Sequence, residues 1–280
     1  FFLITGGRVP SYLGSSFAFI GVVIAATGYA ASGTGAPNAN IALAAGGIMA
    51  CGVLYAIFGL IVMATGTRWI EKLMPPVVTG AVVMIIGLNL APVTVKGVMG
   101  SSFNMWMSLV TVLCMGSIAV FTKGLMQRLL LLLGLLLAYL LYYLVSNVMG
   151  YGAPINFAPI QQAAWFGVPQ FHAPQFDFNA MLIIAPIALI LVAENLGHIK
   201  AVSAMTGENL DPHIGKAFVA DGVATTLSGA VGAPGMTTYG ENMGVMAITK
   251  VYSVWVIGGA AVYRALLPFV GEAYLTEVAA

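Results

Sequence analysis

Long apolar runs, separated by short polar or glycine-rich stretches, set the rhythm of this chain. Eight runs each read as a helix that crosses, or nearly crosses, a bilayer: Pro10–Tyr29, Ile41–Met63, Val77–Val95, Met105–Phe121, Leu129–Val148, Phe178–His198, Ala217–Val231 and Val251–Val270. A hydrocarbon core of ~30 Å takes about 20 apolar helical residues. In the second run, Gly46, Gly47, Cys51, Gly52 and Gly59 suit close packing against another helix. The fifth is leucine-rich, with a face free of polar residues that suits lipid. Residues 149–177 break the pattern with prolines, Trp165 and several Phe but no Lys or Arg. They read as an interfacial loop, the place where aromatic rings sit at a membrane surface.

Two stretches share a different grammar. Met236–Lys250 starts with Thr237, Thr238 and Tyr239, which favour an extended backbone. Gly240 then permits a bend, Asn242 suits a helix N-cap, and a short helix is expected to end at Lys250. Such a helix is only ~12 Å long, so it would start near the middle of the membrane. Ser11–Ile20 repeats the pattern: extended residues, Gly14, Ser15 or Ser16 as cap, then a helix opening around Phe17. A half-helix whose positive end meets polar groups at the midplane is a device by which secondary transporters hold a substrate.

Composition narrows the class. Hydrophobic residues make up 60% of the chain and charged residues 7%. A water-facing domain carries about 25% charged residues, so most of this surface must face lipid. The net charge of +1 points to no nucleic acid. Cys51 and Cys114 read as small buried hydrophobes rather than a disulfide. The chain opens inside apolar sequence without Met, which suggests a fragment of a longer protein. With the start in the cytoplasm and 236–250 counted as a crossing, Arg8, Arg68, Lys72, Lys123, Arg128, Lys200, Lys216 and Lys250 fall inside, and Lys96 and Arg264 outside. That is a strong positive-inside bias.

Ionisable residues within apolar runs are the candidates for chemistry. Glu194 and His198 lie near the end of the sixth run, at a spacing that puts both on one helix face. A catalytic zinc wants three protein ligands, and only one of the two histidines of a zinc-binding helix motif is present, so no metal is expected. A salt-bridged or interfacial cluster at a helix end is the lesser, structural reading of the pair, since ionisable residues inside a membrane default to function. Asp221 reads equally as a buried carboxylate or as interfacial, whereas Glu241, placed between two spans, reads as a site carboxylate before a simple helix cap. Tyr239, Asn242 and Thr249 read as structural residues.

Three of these stretches, in order, resemble the nucleobase–ascorbate transporters, closest to the bacterial uracil permeases: 11–20, Glu194-Asn195-Leu196-Gly197-His198, and Thr238 to Ser253 with its Asn242-x-Gly244-x4-Thr249-Lys250 signature. The resemblance covers essentially the whole chain. It implies an all-α integral membrane fold of two inverted seven-helix repeats, with two broken helices and short mid-membrane strands. This chain would supply about nine crossings. It implies a core domain over 1–75 and 178–280, gate helices over 76–150 and the interfacial loop over 151–177. The substrate residues would be Phe17, Glu194, Gly240 and Glu241, with His198, Glu241 and Asn242 in proton coupling or support. The function implied is import of a nucleobase, uracil, in symport with protons, without a cofactor, across a bacterial inner membrane, and in a homodimer. A xanthine or uric acid permease is the alternative. An anion transporter of the same fold should present cations at the half-helix starts, and a membrane-embedded hydrolase would need a further ligand or nucleophile.

Overall fold

The computed structural model describes residues 1–28, 40–158 and 171–266. The expected runs form helices, with shifted ends. In chain order the elements are α1 (Phe2–Thr5), β1 (Leu13–Ser15), α2 (Ala18–Thr27), α3 (Ile41–Thr65), α4 (Arg68–Leu73), α5 (Pro76–Val98), α6 (Ser102–Phe121), α7 (Leu125–Arg128) and α8 (Leu130–Tyr143, continued by a π turn to Val148). Then come α9 (Phe178–Ile184), α10 (Ile187–Thr206), α11 (Ile214–Ala230), β2 (Met236–Thr238), α12 (Gly240–Thr249) and α13 (Val254–Leu266). Among the described residues, three helical stretches are long and apolar enough to cross a membrane: Ile41–Thr65, Ser102–Phe121 and Phe178–Thr206. Together with the family match given below they make this a multi-pass membrane protein.

Several boundaries correct the sequence reading. Between the second and third runs, where that reading assigns no element, lies helix α4. The sixth run breaks at Ala185–Pro186 and then continues to Thr206, well beyond His198. Pro186 has no N–H to give the preceding turn, which accounts for the break. The extension past His198 carries Lys200, whose ammonium reaches Glu71 at 2.9 Å and Asp211 at 2.6 Å. One partner, Glu71, lies far away in sequence and the other, Asp211, in the loop just after the helix, and together they let a cation sit within a continuing helix. Trp165 and residues 159–170 of the interfacial loop, and 267–270 of the last run, lie outside the described residues.

The chain divides into two compact units: one from Phe1–Gly87, Trp165–Gly244 and Tyr252–Ala280, the other from Leu88–Ala164 and Val245–Val251. In the second unit, α6 packs on α8, where Gly134 lies against Met115. Leu132, Leu135, Leu136 and Leu140 point outward from α8.

The first unit is built on the antiparallel pair α3 and α11. Gly215, Gly222 and Gly229 repeat every seven residues on α11 and meet Met63, Ala56 and Met49. From the other side, Gly52 meets Thr226 and Gly222, and Gly59 meets Val219 and Gly215. A Cβ at any of these glycines would overlap the facing helix, so backbones approach as they do at small-residue membrane interfaces. Tyr55 and Phe218 fill this interface, with ring centroids 5.6 Å apart and both side chains fully buried.

Candidate substrate site

The two stretches with shared grammar meet. β1 and β2 pair antiparallel, with Leu13 opposite Thr238, Gly14 opposite Thr237 and Ser15 opposite Met236. Backbone bonds from Tyr239 N to Tyr12 O (3.1 Å) and from Ser16 N to Gly235 O (2.9 Å) close the two ends of the ribbon. Tyr239 stacks on Tyr12 at 5.9 Å and covers Gly14, where any Cβ would enter its ring. Because each strand runs directly into a helix, α2 and α12 start at opposite ends of a ribbon about 10 Å long. Each start carries the partial positive charge of a helix N-terminus, and at α2 the N–H groups of Ala18, Phe19 and Ile20 are taken by Ser16 and Phe17 oxygens.

The α2 start differs from expectation in its cap. Phe17 occupies the cap position and is 41% exposed. Ser16 serves it from one residue earlier, its hydroxyl accepting from Ala18 N at 3.2 Å. At the other end, α12 starts at Gly240 rather than after Asn242, so Asn242 lies within the first turn and is no N-cap. The Tyr12 carbonyl takes the Tyr239 N–H and carries the strand up to the bend, which moves the helix start back. Lys250, at φ 55°, terminates the helix in a left-handed conformation. Glu241 is the second residue of α12, and its side chain lies outside the described residues.

One face of α10 reaches both helix starts. Glu194 Oε2 accepts from the Ser16 hydroxyl at 3.3 Å, beside the start of α2. One turn on, His198 Nδ1 contacts Thr238 Oγ1 at 3.0 Å, and its Nε2 lies 2.9 Å from where a Cβ on Gly240 would be, at the start of α12. The structure therefore brings together Phe17, Glu194, His198 and Gly240 through β1 and β2. It removes the reading of Glu194 and His198 as a cluster at a helix end, since both sit mid-helix.

Behind this face lies a buried polar network in which sequence reasoning gave Asn195 and Tyr55 no role. Asp221, left open above, is 0% exposed. Its Oδ2 accepts from Thr238 N at 3.2 Å and from Asn195 Nδ2. Asn195 Nδ2 also donates to Tyr55 Oη at 2.8 Å, and Tyr55 donates to the Leu191 carbonyl at 3.3 Å. Thr238 Oγ1 donates to Asn195 Oδ1 at 3.1 Å. The available signal was an amide beside Glu194 in an apolar helix. A buried amide of that kind needs partners on more than one side.

The assembled groups suit a flat polar heterocycle. A carboxylate and an imidazole can accept N–H, helix starts can donate to carbonyls, and Phe17 offers an aromatic face. Among the described residues, no three His, Cys, Asp or Glu side chains cluster as metal ligands.

Comparison with known proteins gives the family. A model described as "Permease family" (Xan_ur_permease) matches residues 1–273. The chain is 62% identical over 269 residues to the "Putative pyrimidine permease RutG" of Escherichia coli (strain K12), covering 96% of this chain and 60% of that protein. It is 38% identical over 280 residues to the "Uracil permease" of Escherichia coli (strain K12), covering 97% and 62%. With the "Uracil permease" of Bacillus subtilis (strain 168) it shares 35% over 294 residues, covering 97% and 63%. The chain thus spans about three-fifths of the length of the curated relatives it matches.

Proposed function

The chain belongs to the permease family of the nucleobase–ascorbate transporters, a family of transporters rather than enzymes, and from this premise we propose that it forms the substrate-binding part of a secondary importer of a pyrimidine base, uracil. The observation that carries the reading is the reach of one α10 face, through Glu194 and His198, to the starts of both α2 and α12. The relatives named above, a putative pyrimidine permease and uracil permeases, support the substrate class.

Uracil has two ring N–H donors and two carbonyl acceptors. Glu194 and Glu241 are assigned to accept the N–H groups, backbone N–H groups at Gly240 and Phe17 to donate to the carbonyls, and the Phe17 ring to lie against the base. His198, Glu241 and Asn242 are assigned to proton coupling or polar support of the site. A carboxylate that gains a proton when the base is bound couples uptake to the proton gradient. Transport follows by rocking of a core domain, 1–75 and 178–280, against gate helices in 76–150 around a midplane site. The complete protein is assigned two inverted seven-helix repeats, a place in the bacterial inner membrane and a homodimeric state.

The test is uptake of labelled uracil by cells or proteoliposomes holding the whole protein, with external pH recorded and xanthine and uric acid as competitors. Uracil-driven alkalinisation of the medium, with no competition by purines, is expected. Uptake indifferent to a proton gradient contradicts the coupling, and stronger competition by xanthine than by unlabelled uracil contradicts the substrate.

A further inference from the structure

Hydrogen-bond direction behind the site leads to a residue with no assigned part in transport. We propose that Asn195 is a positioning residue that fixes the imidazole of His198, holding a permanent proton on Nδ1 and leaving Nε2 as the nitrogen that faces the start of α12. The proposal rests on the reading of His198 as a wall of the substrate site.

Five groups in a row, from Leu191 to His198, share a fixed number of protons. Tyr55 has one hydroxyl proton, and its oxygen lies 3.3 Å from the Leu191 carbonyl. A carbonyl can only accept, so Tyr55 donates there. The Tyr55 oxygen must then accept from the Asn195 side chain, 2.8 Å away, which turns the amide NH2 toward Tyr55. Asp221 demands the same orientation, because its Oδ2 also meets that nitrogen and takes the Thr238 N–H at 3.2 Å. With Asp221 as the carboxylate that takes the Thr238 N–H, a flipped amide would set the Asn195 and Asp221 oxygens against each other, two acceptors without a donor in a fully buried space.

The amide oxygen is thereby aimed at Thr238. The Thr238 hydroxyl, 3.1 Å away, has one proton and must give it to Asn195 Oδ1. Nothing is left for Thr238 to donate to His198 Nδ1 at 3.0 Å, so Nδ1 must carry the hydrogen. The order Nδ1–H to Thr238, Thr238 to Asn195, Asn195 to Tyr55 and Tyr55 to Leu191 is one-directional. Its far end is anchored on a main-chain carbonyl that cannot reverse. The side chains concerned lie on α3, α10 and β2, and Asp221 on α11 locks the middle.

The consequence is at Nε2. That atom lies 2.9 Å from the Cβ position of Gly240, on the side of the imidazole away from Thr238. A neutral His198 therefore presents an acceptor to the α12 start, and any proton that His198 takes up during transport comes and goes on Nε2 alone. With the opposite tautomer, Nε2 would present a donor and repel the N–H edge of a base.

The test is nitrogen-15 NMR of histidine in the whole protein in lipid nanodiscs, without substrate, with His198 assigned by its loss in His198→Gln. A pyrrole-type Nδ1 and a pyridine-type Nε2 are expected for neutral His198. Thr238→Val removes the link while keeping shape, and should turn a measurable fraction of His198 into the Nε2–H form. Thr238→Ser should restore the Nδ1–H form. A wild-type His198 protonated on Nε2 when neutral overturns the proposal, as does a Thr238→Val spectrum identical to wild type. If Thr238→Val does not fold, the wild-type spectrum decides alone. Because the readout needs no uracil, its failure is distinct from a failure of uracil uptake.

Discussion

His198 Nε2 stands 2.9 Å from the point where a side chain on Gly240 would begin. The imidazole cannot easily yield, because Nδ1 on its other side is tied to Thr238. Gly240→Ala should therefore push His198 away from the α12 start or shift the helix itself. Uracil uptake is expected to fall about tenfold or more, equivalent to ~1.4 kcal/mol, while the protein still inserts. Uptake within twofold of wild type would mean that His198 and Gly240 are not neighbours in the working protein.

Loss of the buried carboxylate should be costlier than loss of the partly exposed cation. Asp221→Ala leaves Asn195 Nδ2 and Thr238 N without their shared acceptor in a site closed to water. Each unpaired donor costs about 1–3 kcal/mol. Lys200→Gln breaks pairs with Glu71 and Asp211 whose side chains are about 40% exposed, and such pairs are worth ~0–1 kcal/mol. Thermal unfolding in the same detergent should place Asp221→Ala well below Lys200→Gln. The reverse order would contradict the network.

The glycine seam between α3 and α11 should tolerate no bulk. Gly222→Leu forces a branched side chain against the Ala56 backbone, and Gly59→Leu does the same against Val219. Either is expected to separate the helices and sharply lower the yield of folded protein, as read by size-exclusion chromatography. Gly21→Leu, where nothing lies within 4 Å, serves as the control and should express normally. Equal yields for all three would contradict the packing.

How far the sequence discloses this molecule depends on the range of the forces involved. The extended-glycine-helix grammar of 11–20 and 236–250 is local, and both half-helices form about where it places them. Their pairing follows from two short stretches that each need a partner for the edge groups. The start of α12 at Gly240 rather than past Asn242 depends on the Tyr12 carbonyl, far away in the chain. Likewise α10 runs past His198 because Glu71 and Asp211 meet Lys200, and no periodicity in 178–206 carries that information. Burial of Asp221 is one of two readings its sequence leaves open, but its partners, and the parts of Tyr55 and Asn195, become meaningful only when three helices and a strand bring them within hydrogen-bonding distance.

The central claim is that carboxylates at the helix starts and on α10 hold the base by its N–H groups. It is tested most directly by uptake of labelled uracil in cells expressing the whole protein with Glu194→Gln or Glu241→Gln, against a panel of unlabelled bases. Glutamine keeps the size of the side chain and removes the charge that accepts from a ring N–H. Both variants are expected to reach the membrane and to lose at least about tenfold in uracil uptake, ~1.4 kcal/mol in binding terms. Unchanged uracil uptake and an unchanged competition profile in both variants would contradict the account.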